Sequence, residues 1–106
     1  MPKAYWIARV DVTDAETYKL YVAANAEPFA KYGARFLVRG GRFENPEGQS
    51  RSRNVVLEFE SYQAALDCYR SPEYARAIAL RLPAASVDIV IIEGYDGPQP
   101  GDSAKA

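Results

Sequence analysis

Residues 54–77 read NVVLEFESYQAALDCYRSPEYARA, and this stretch decides the fold. Val55, Leu57 and Phe59 alternate, so they fall on one face of a strand. Ser61 offers a helix N-cap, and Ala64, Ala65, Leu66 and Tyr69 follow at helical spacing. Ser71-Pro72-Glu73 restarts the helix: serine caps, proline fits the first turn, and glutamate suits the positive end of the helix dipole. A strand, a helix, a break and a second helix are therefore expected here, ending near Leu82-Pro83.

The same pattern extends outward. Tyr5 to Val12 alternates as a first strand, with Trp6, Ala8, Val10 and Val12 on one side. Thr13 and Glu16 have the spacing of a capping box. Tyr18, Tyr21, Val22 and Asn25 then fall on one helix face. Pro28 disturbs that helix, so a kink or a new short helix is expected over 28–32, closed by Gly33. A second strand is expected from Arg35 to Phe43, with Phe36 and Val38 on one face and Leu37 and Arg39 on the other. Gly40-Gly41 marks a bulge or a close backbone approach. Residues 44–53 are polar, with Pro46 and Gly48, and read as a hairpin loop. Val87 to Glu93 is a fourth strand, and residues 96–106 have the Gly/Pro/Ser bias of a tail. The predicted domain is residues 1–95.

This order is βαββαβ, the pattern of an α+β ferredoxin-like sandwich. It predicts a four-stranded antiparallel sheet, first and third strands central, with helices on one face. The fourth strand is apolar on both sides: Val87, Ile89 and Ile91 on one, Val90 and Ile92 on the other. Helices cover only one side, so a second copy is expected on the open face, as an isologous homodimer.

Composition limits the chemistry. The chain has 106 residues, one cysteine, no histidine and a net charge of −1. One domain follows from the length. No internal disulfide, Ser-His-Asp or Cys-His arrangement, histidine metal ligand or proximal haem histidine is available. Cys68 reads as a small buried hydrophobe, and Ser71 as a cap without an activating base. The charge gives no reason to expect nucleic acid or a membrane as partner, and no metal or cofactor is implied. MPKAYWIARV lacks the apolar run of a signal peptide, so the cytoplasm is expected.

Phe36-Leu37-Val38-Arg39-Gly40-Gly41, Val55-Val56-Leu57-Glu58-Phe59, Tyr69-Arg70-Ser71-Pro72-Glu73-Tyr74 and Glu93-Gly94 resemble the domain-of-unknown-function family 1330, over about Ala4 to Gly94. The resemblance implies membership of the dimeric α/β-barrel superfamily, hence a ferredoxin-like protomer and a sheet-to-sheet dimer. That superfamily holds cofactor-independent monooxygenases, haem-degrading enzymes, isomerases and stress-response proteins, and commonly places its pocket between helices and sheet.

Residues expected to line such a pocket are Tyr18, Tyr21, Asn25, Tyr69 and Tyr74 from helices, and Trp6 and Arg39 from strands. Aromatic walls with few polar groups suit a small, largely apolar ligand. Arg39, beside the glycine pair, has the fork geometry for a carboxylate or enolate. Each has a purely structural alternative: the tyrosines and Trp6 as core, Asn25 as a backbone partner at the helix break. Arg9, Arg39, Glu58 and Asp88 have the parity to share the open face as an ion network. Glu58 is either an ion-pair partner or a general base, and Arg81 either pairs with the sheet or closes the pocket. Three functions stay open: binding of an aromatic or carboxylated metabolite, cofactor-independent oxygenation or isomerisation, and a non-catalytic stress or assembly role.

Overall fold

The computed structural model describes residues 2–102. Its elements run β1 (Ala4–Val12), α1 (Ala15–Ala24), α2 (Ala26–Tyr32), β2 (Arg35–Arg39), β3 (Arg53–Phe59), α3 (Tyr62–Tyr69), α4 (Pro72–Arg81) and β4 (Ala85–Glu93). The strands form one antiparallel sheet in the order β2-β3-β1-β4, so β1 and β3 are central. This is the ferredoxin-like α+β sandwich. The last four residues of the expected tail, 103–106, lie outside the described residues.

Alternation sets the layers. Ala4, Trp6, Ala8 and Val10 of β1 and Val55, Leu57 and Phe59 of β3 are buried beneath the helices. Between layers, Trp6 is the centre. Its ring packs edge-on against Phe29, Tyr69 and Tyr74 at centroid distances of 5.4, 5.6 and 5.0 Å. Its indole N–H donates to the Ala65 carbonyl at 3.0 Å, so a large buried ring carries no unsatisfied donor.

The helix signals hold around α3 and α4. Ser61 Oγ accepts from Ala64 N, and Ser71 Oγ accepts from Tyr74 N while donating to the Cys68 carbonyl. The Pro28 disturbance is a new helix, α2, with Pro28 in its first turn and Gly33 as its left-handed C-cap. Three local readings are corrected. The cap of α1 is Asp14, not Thr13: Asp14 accepts from Thr17 N at 3.2 Å and Thr17 Oγ1 at 2.7 Å. Thr13 is committed elsewhere, since its backbone N–H and hydroxyl both donate to the Ala84 carbonyl after α4.

The second correction concerns β2. Phe36 pairs with Leu57 but Val38 pairs with Val56, so Leu37 is an inserted residue. The bulge reverses side-chain parity beyond it. Phe36 therefore faces the helices, against the Phe29 ring at 5.7 Å, and Val38 faces the open side. Arg39, paired with Val55, is thrown onto the helical side. Third, β2 stops at Arg39 instead of Phe43. Gly40 takes φ +70°, and a Cβ there would collide with the Arg53 guanidinium. The glycine pair thus marks a close approach, while the bulge lies three residues earlier.

Candidate functional site

The candidate residues separate into two faces. On the helical side, Tyr21 and Tyr74 bring their hydroxyls to 2.7 Å from each other. Arg81, from the last turn of α4, donates from Nη1 to Tyr74 Oη at 2.9 Å. Its guanidinium carbon lies 5.4 Å from the Tyr21 ring centroid and 6.0 Å from that of Tyr74, favourable cation–π positions. Tyr18 continues the cluster, 5.4 Å from Tyr21 between ring centroids.

Arg81 is only 7% exposed, yet it forms no ion pair with any acidic residue among the described residues, and its Nε has no hydrogen-bond partner. A buried guanidinium costs several kcal/mol in lost hydration, on the order of the penalty for any buried ion, unless anions and acceptors replace the water. Tyrosine oxygens and ring faces replace part of it here. Arg53 repeats the situation from the sheet. Its parity with Val55 and Leu57 points it to the helical side, its Nε is buried without a partner, and it likewise lacks an acidic partner among the described residues. Burial raises the Tyr18 phenol above its usual pKa, and the neighbouring Tyr21 adds to the rise. Arg53 and Arg81 both oppose it, which places both cations within electrostatic reach of one hydroxyl.

Burial holds the Tyr74 phenol above its ordinary pKa, and it stays protonated. Tyr69 is half-buried against Trp6 and Tyr74. Asn25 is buried where α1 meets α2 and makes no side-chain capping bond; its backbone carries the junction, accepting from Phe29 N and donating to the Tyr21 carbonyl. Burial pushes the Cys68 thiol up to about 12, so it is no thiolate at neutral pH. Arg39 stacks its guanidinium carbon 4.0 Å over the Phe36 ring at the sheet edge.

The open face carries the remaining charges. Glu58 accepts from the Tyr5 hydroxyl at 3.3 Å and lies 3.6 Å from Lys3 and 4.0 Å from Arg35. It is an ion-pair partner, on the opposite side of the sheet from the tyrosines. Arg9 stands opposite Asp88 in register, but Asp88 is taken by Arg51, which also holds Asp11, at 2.8 and 2.9 Å. The expected network on this face thus has Lys3, Arg35 and Arg51 as its cations, and Arg39 is not a member. Concavities of 530 Å³ (Ile7, Arg9, Val87 to Val90), 490 Å³ (Arg42 to Glu44) and 300 Å³ (Arg9, Asp11, Gln49 to Arg51, Asp88) lie along β1, β4 and the β2–β3 loop. None of the three borders the tyrosine layer.

Sequence reading missed Arg53, assigning it to the polar loop 44–53. The available signal was parity: Arg53 stands two residues before Val55, on the same face of the same strand.

A two-layer fold of this order, with aromatic and arginine side chains between the layers, defines a class of small ferredoxin-like α+β domains. Residues 3–95 match the family described as a domain of unknown function, DUF1330, and the chain belongs to it. No curated protein sequence matches the chain. It is similar in structure to a protein of unknown function from Rhodopseudomonas palustris, with a TM-score of 0.71 at 16% identity over 91% of this chain and 85% of that one. SnoaB, a cofactor-independent oxygenase from Streptomyces nogalater, is similar with a TM-score of 0.58 at 12% identity over 94% and 97%. A dimeric ferredoxin-like protein of unknown function from Thermobifida fusca gives 0.59 at 14% identity over 87% and 91%. At these identities the likeness is one of fold. No helix among the described residues is long and apolar enough to cross a membrane.

Proposed function

We propose that this protein acts as a homodimer that binds a small aromatic or carboxylated metabolite between its helices and its sheet, with Arg81 as the anion-binding residue. One observation carries the ligand: Arg81 is buried among tyrosines with no carboxylate to neutralise it. Arg39, expected in this role, stacks over Phe36 at the exposed sheet edge, and the buried Arg81 is preferred for it here. Tyr18 and Arg53 are half-buried, and the proposed route of entry is past them. The dimer is supported by exposed Ile7, Val38, Val90 and Ile92 on the open face, and by dimeric relatives of the same fold.

A non-catalytic module is the second reading, favoured by the lack of contact between the three concavities and the tyrosine layer. Native mass spectrometry separates the two. The expected result is a dimer that retains a small acid or binds added aromatic carboxylates, and an Arg81→Gln variant that does neither. A clean protein whose melting temperature is unmoved by millimolar aromatic carboxylates overturns the ligand reading. Oxygenation or isomerisation is tested on the same sample, by oxygen uptake and product analysis with a panel of phenols and lactones.

A further inference from the structure

We propose that the ligand is a small dianion held between two arginines, Arg81 from the helical layer and Arg53 from the sheet. The inference rests on the preceding reading of Arg81 and adds the second cation and the charge class. Charge balance carries it. Both side chains bury an Nε with no hydrogen-bond partner, and neither meets a carboxylate among the described residues. Three other arginines are ion-paired, Arg51 with Asp11 and Asp88, Arg35 with Glu58 and Arg76 with Glu27, and the four without an acidic partner among the described residues, Arg9, Arg39, Arg42 and Arg70, are exposed to water. The buried Arg81 has a tyrosine hydroxyl as its side-chain hydrogen-bond partner and the half-buried Arg53 has no carboxylate, so each carries a positive charge that an anionic ligand would balance.

The backbone is shaped to hold Arg53 in place. Gly40 packs directly against its guanidinium, leaving no room for a Cβ, and the Gly40 N–H donates to the Asn54 carbonyl at 2.9 Å beside it. Arg81 is fixed by its bond to Tyr74 and by the Tyr21 ring. Tyr18 packs 5.4 Å from the Tyr21 ring that Arg81 also faces, and both arginines oppose the rise of its phenol's pKa. Each guanidinium offers a paired set of N–H donors, a match for one carboxylate each or for two edges of a phosphate. The shared chemistry is a compact dianion, from an aromatic dicarboxylate or an aryl phosphate.

The test is calorimetric binding of benzoate, phthalate and phenyl phosphate to the purified protein. The expected result is at least tenfold tighter binding of one dianion than of benzoate, with phthalate against phenyl phosphate telling the source. In Arg53→Gln that advantage falls to within about twofold, while Arg53→Lys, which keeps the charge, restores part of it. Equal affinity for benzoate and both dianions overturns the dianion and leaves the Arg81 reading standing. Binding of none of the three overturns both. The wild-type series decides even where a variant fails to fold.

Discussion

At the scale of the residue, the Tyr21–Tyr74–Arg81 chain shows how burial couples to stability. Tyr74→Phe removes the acceptor for Arg81 Nη1 and the partner of the Tyr21 hydroxyl together. Leaving buried polar groups unpaired costs about 1–3 kcal/mol, which a urea midpoint will show, whereas a variant as stable as the wild type would mean water replaces both bonds. Cys68 gives a pH prediction. Its thiol ionises near 9.0 when unfolded and at about 12 when folded. Between those values the native chain holds the extra proton, so stability is fully present below pH 9 and is lost as pH rises toward 12. The raised phenol of Tyr74 acts in the same direction. The urea midpoint should therefore fall between pH 9 and 11, and less steeply in Cys68→Ala; identical slopes would remove Cys68 as a cause. Side-chain identity made Cys68 and Ser71 legible in the sequence. Arg53 escaped because a charged residue beside a polar loop reads as loop, and only strand parity places it under the helices.

At the scale of the element, legibility depended on whether the signal was local. Caps are local: Ser61 and Ser71 are followed by the backbone N–H groups they satisfy. Ser71→Ala should cost about 1–2 kcal/mol, the range for losing an N-cap, because it also withdraws the hydroxyl from the Cys68 carbonyl. Thr13 misled because its hydroxyl is claimed by Ala84, 71 residues away. A bulge is not local either. One inserted residue, Leu37, leaves composition unchanged yet moves Arg39 from one face of the sheet to the other, and alternation by itself has no mark for it. The glycine pair that follows has two separable roles. Gly40→Ala meets both a left-handed backbone and the Arg53 guanidinium, and should lose about 1–2 kcal/mol. Gly41→Ala has open space around its Cβ and should stay within about 0.5 kcal/mol of the wild type. Similar losses in both, by chemical denaturation, would show that loop flexibility rather than the Arg53 contact is what Gly40 provides.

At the scale of the whole molecule, the strand order was legible because the element order βαββαβ is that of a ferredoxin-like sandwich, in which the first and third strands are central. What the sequence does not contain is whatever covers the open face; it shows only that β4 is apolar on both sides. The structure sharpens that observation. Ile7 and Val90 stand opposite each other in register on the open face, 40% and 55% exposed, with Ile92 beside them. The chain is also spread out, with a radius of gyration of 15.7 Å against about 13 Å for a compact domain of this length. The β2–β3 loop is exposed from Gly40 to Gln49 and contributes to that spread. If a second copy covers the open face, a charge at its centre enters the interface twice, once from each protomer, because the contact is isologous. Each unpaired buried charge costs several kcal/mol, on the order of the penalty for breaking a buried ion pair. Val90→Lys should therefore weaken the dimer at least about a hundredfold, equivalent to roughly 2.7 kcal/mol. In the monomer the same lysine sits on an exposed strand face, so thermal unfolding of the isolated protomer should change little. Sedimentation velocity at micromolar concentration distinguishes the cases: a wild-type dimer with a monomeric, folded Val90→Lys places the interface on this face. A variant that remains as dimeric as the wild type moves the contact elsewhere, and a monomeric wild type removes the dimer altogether.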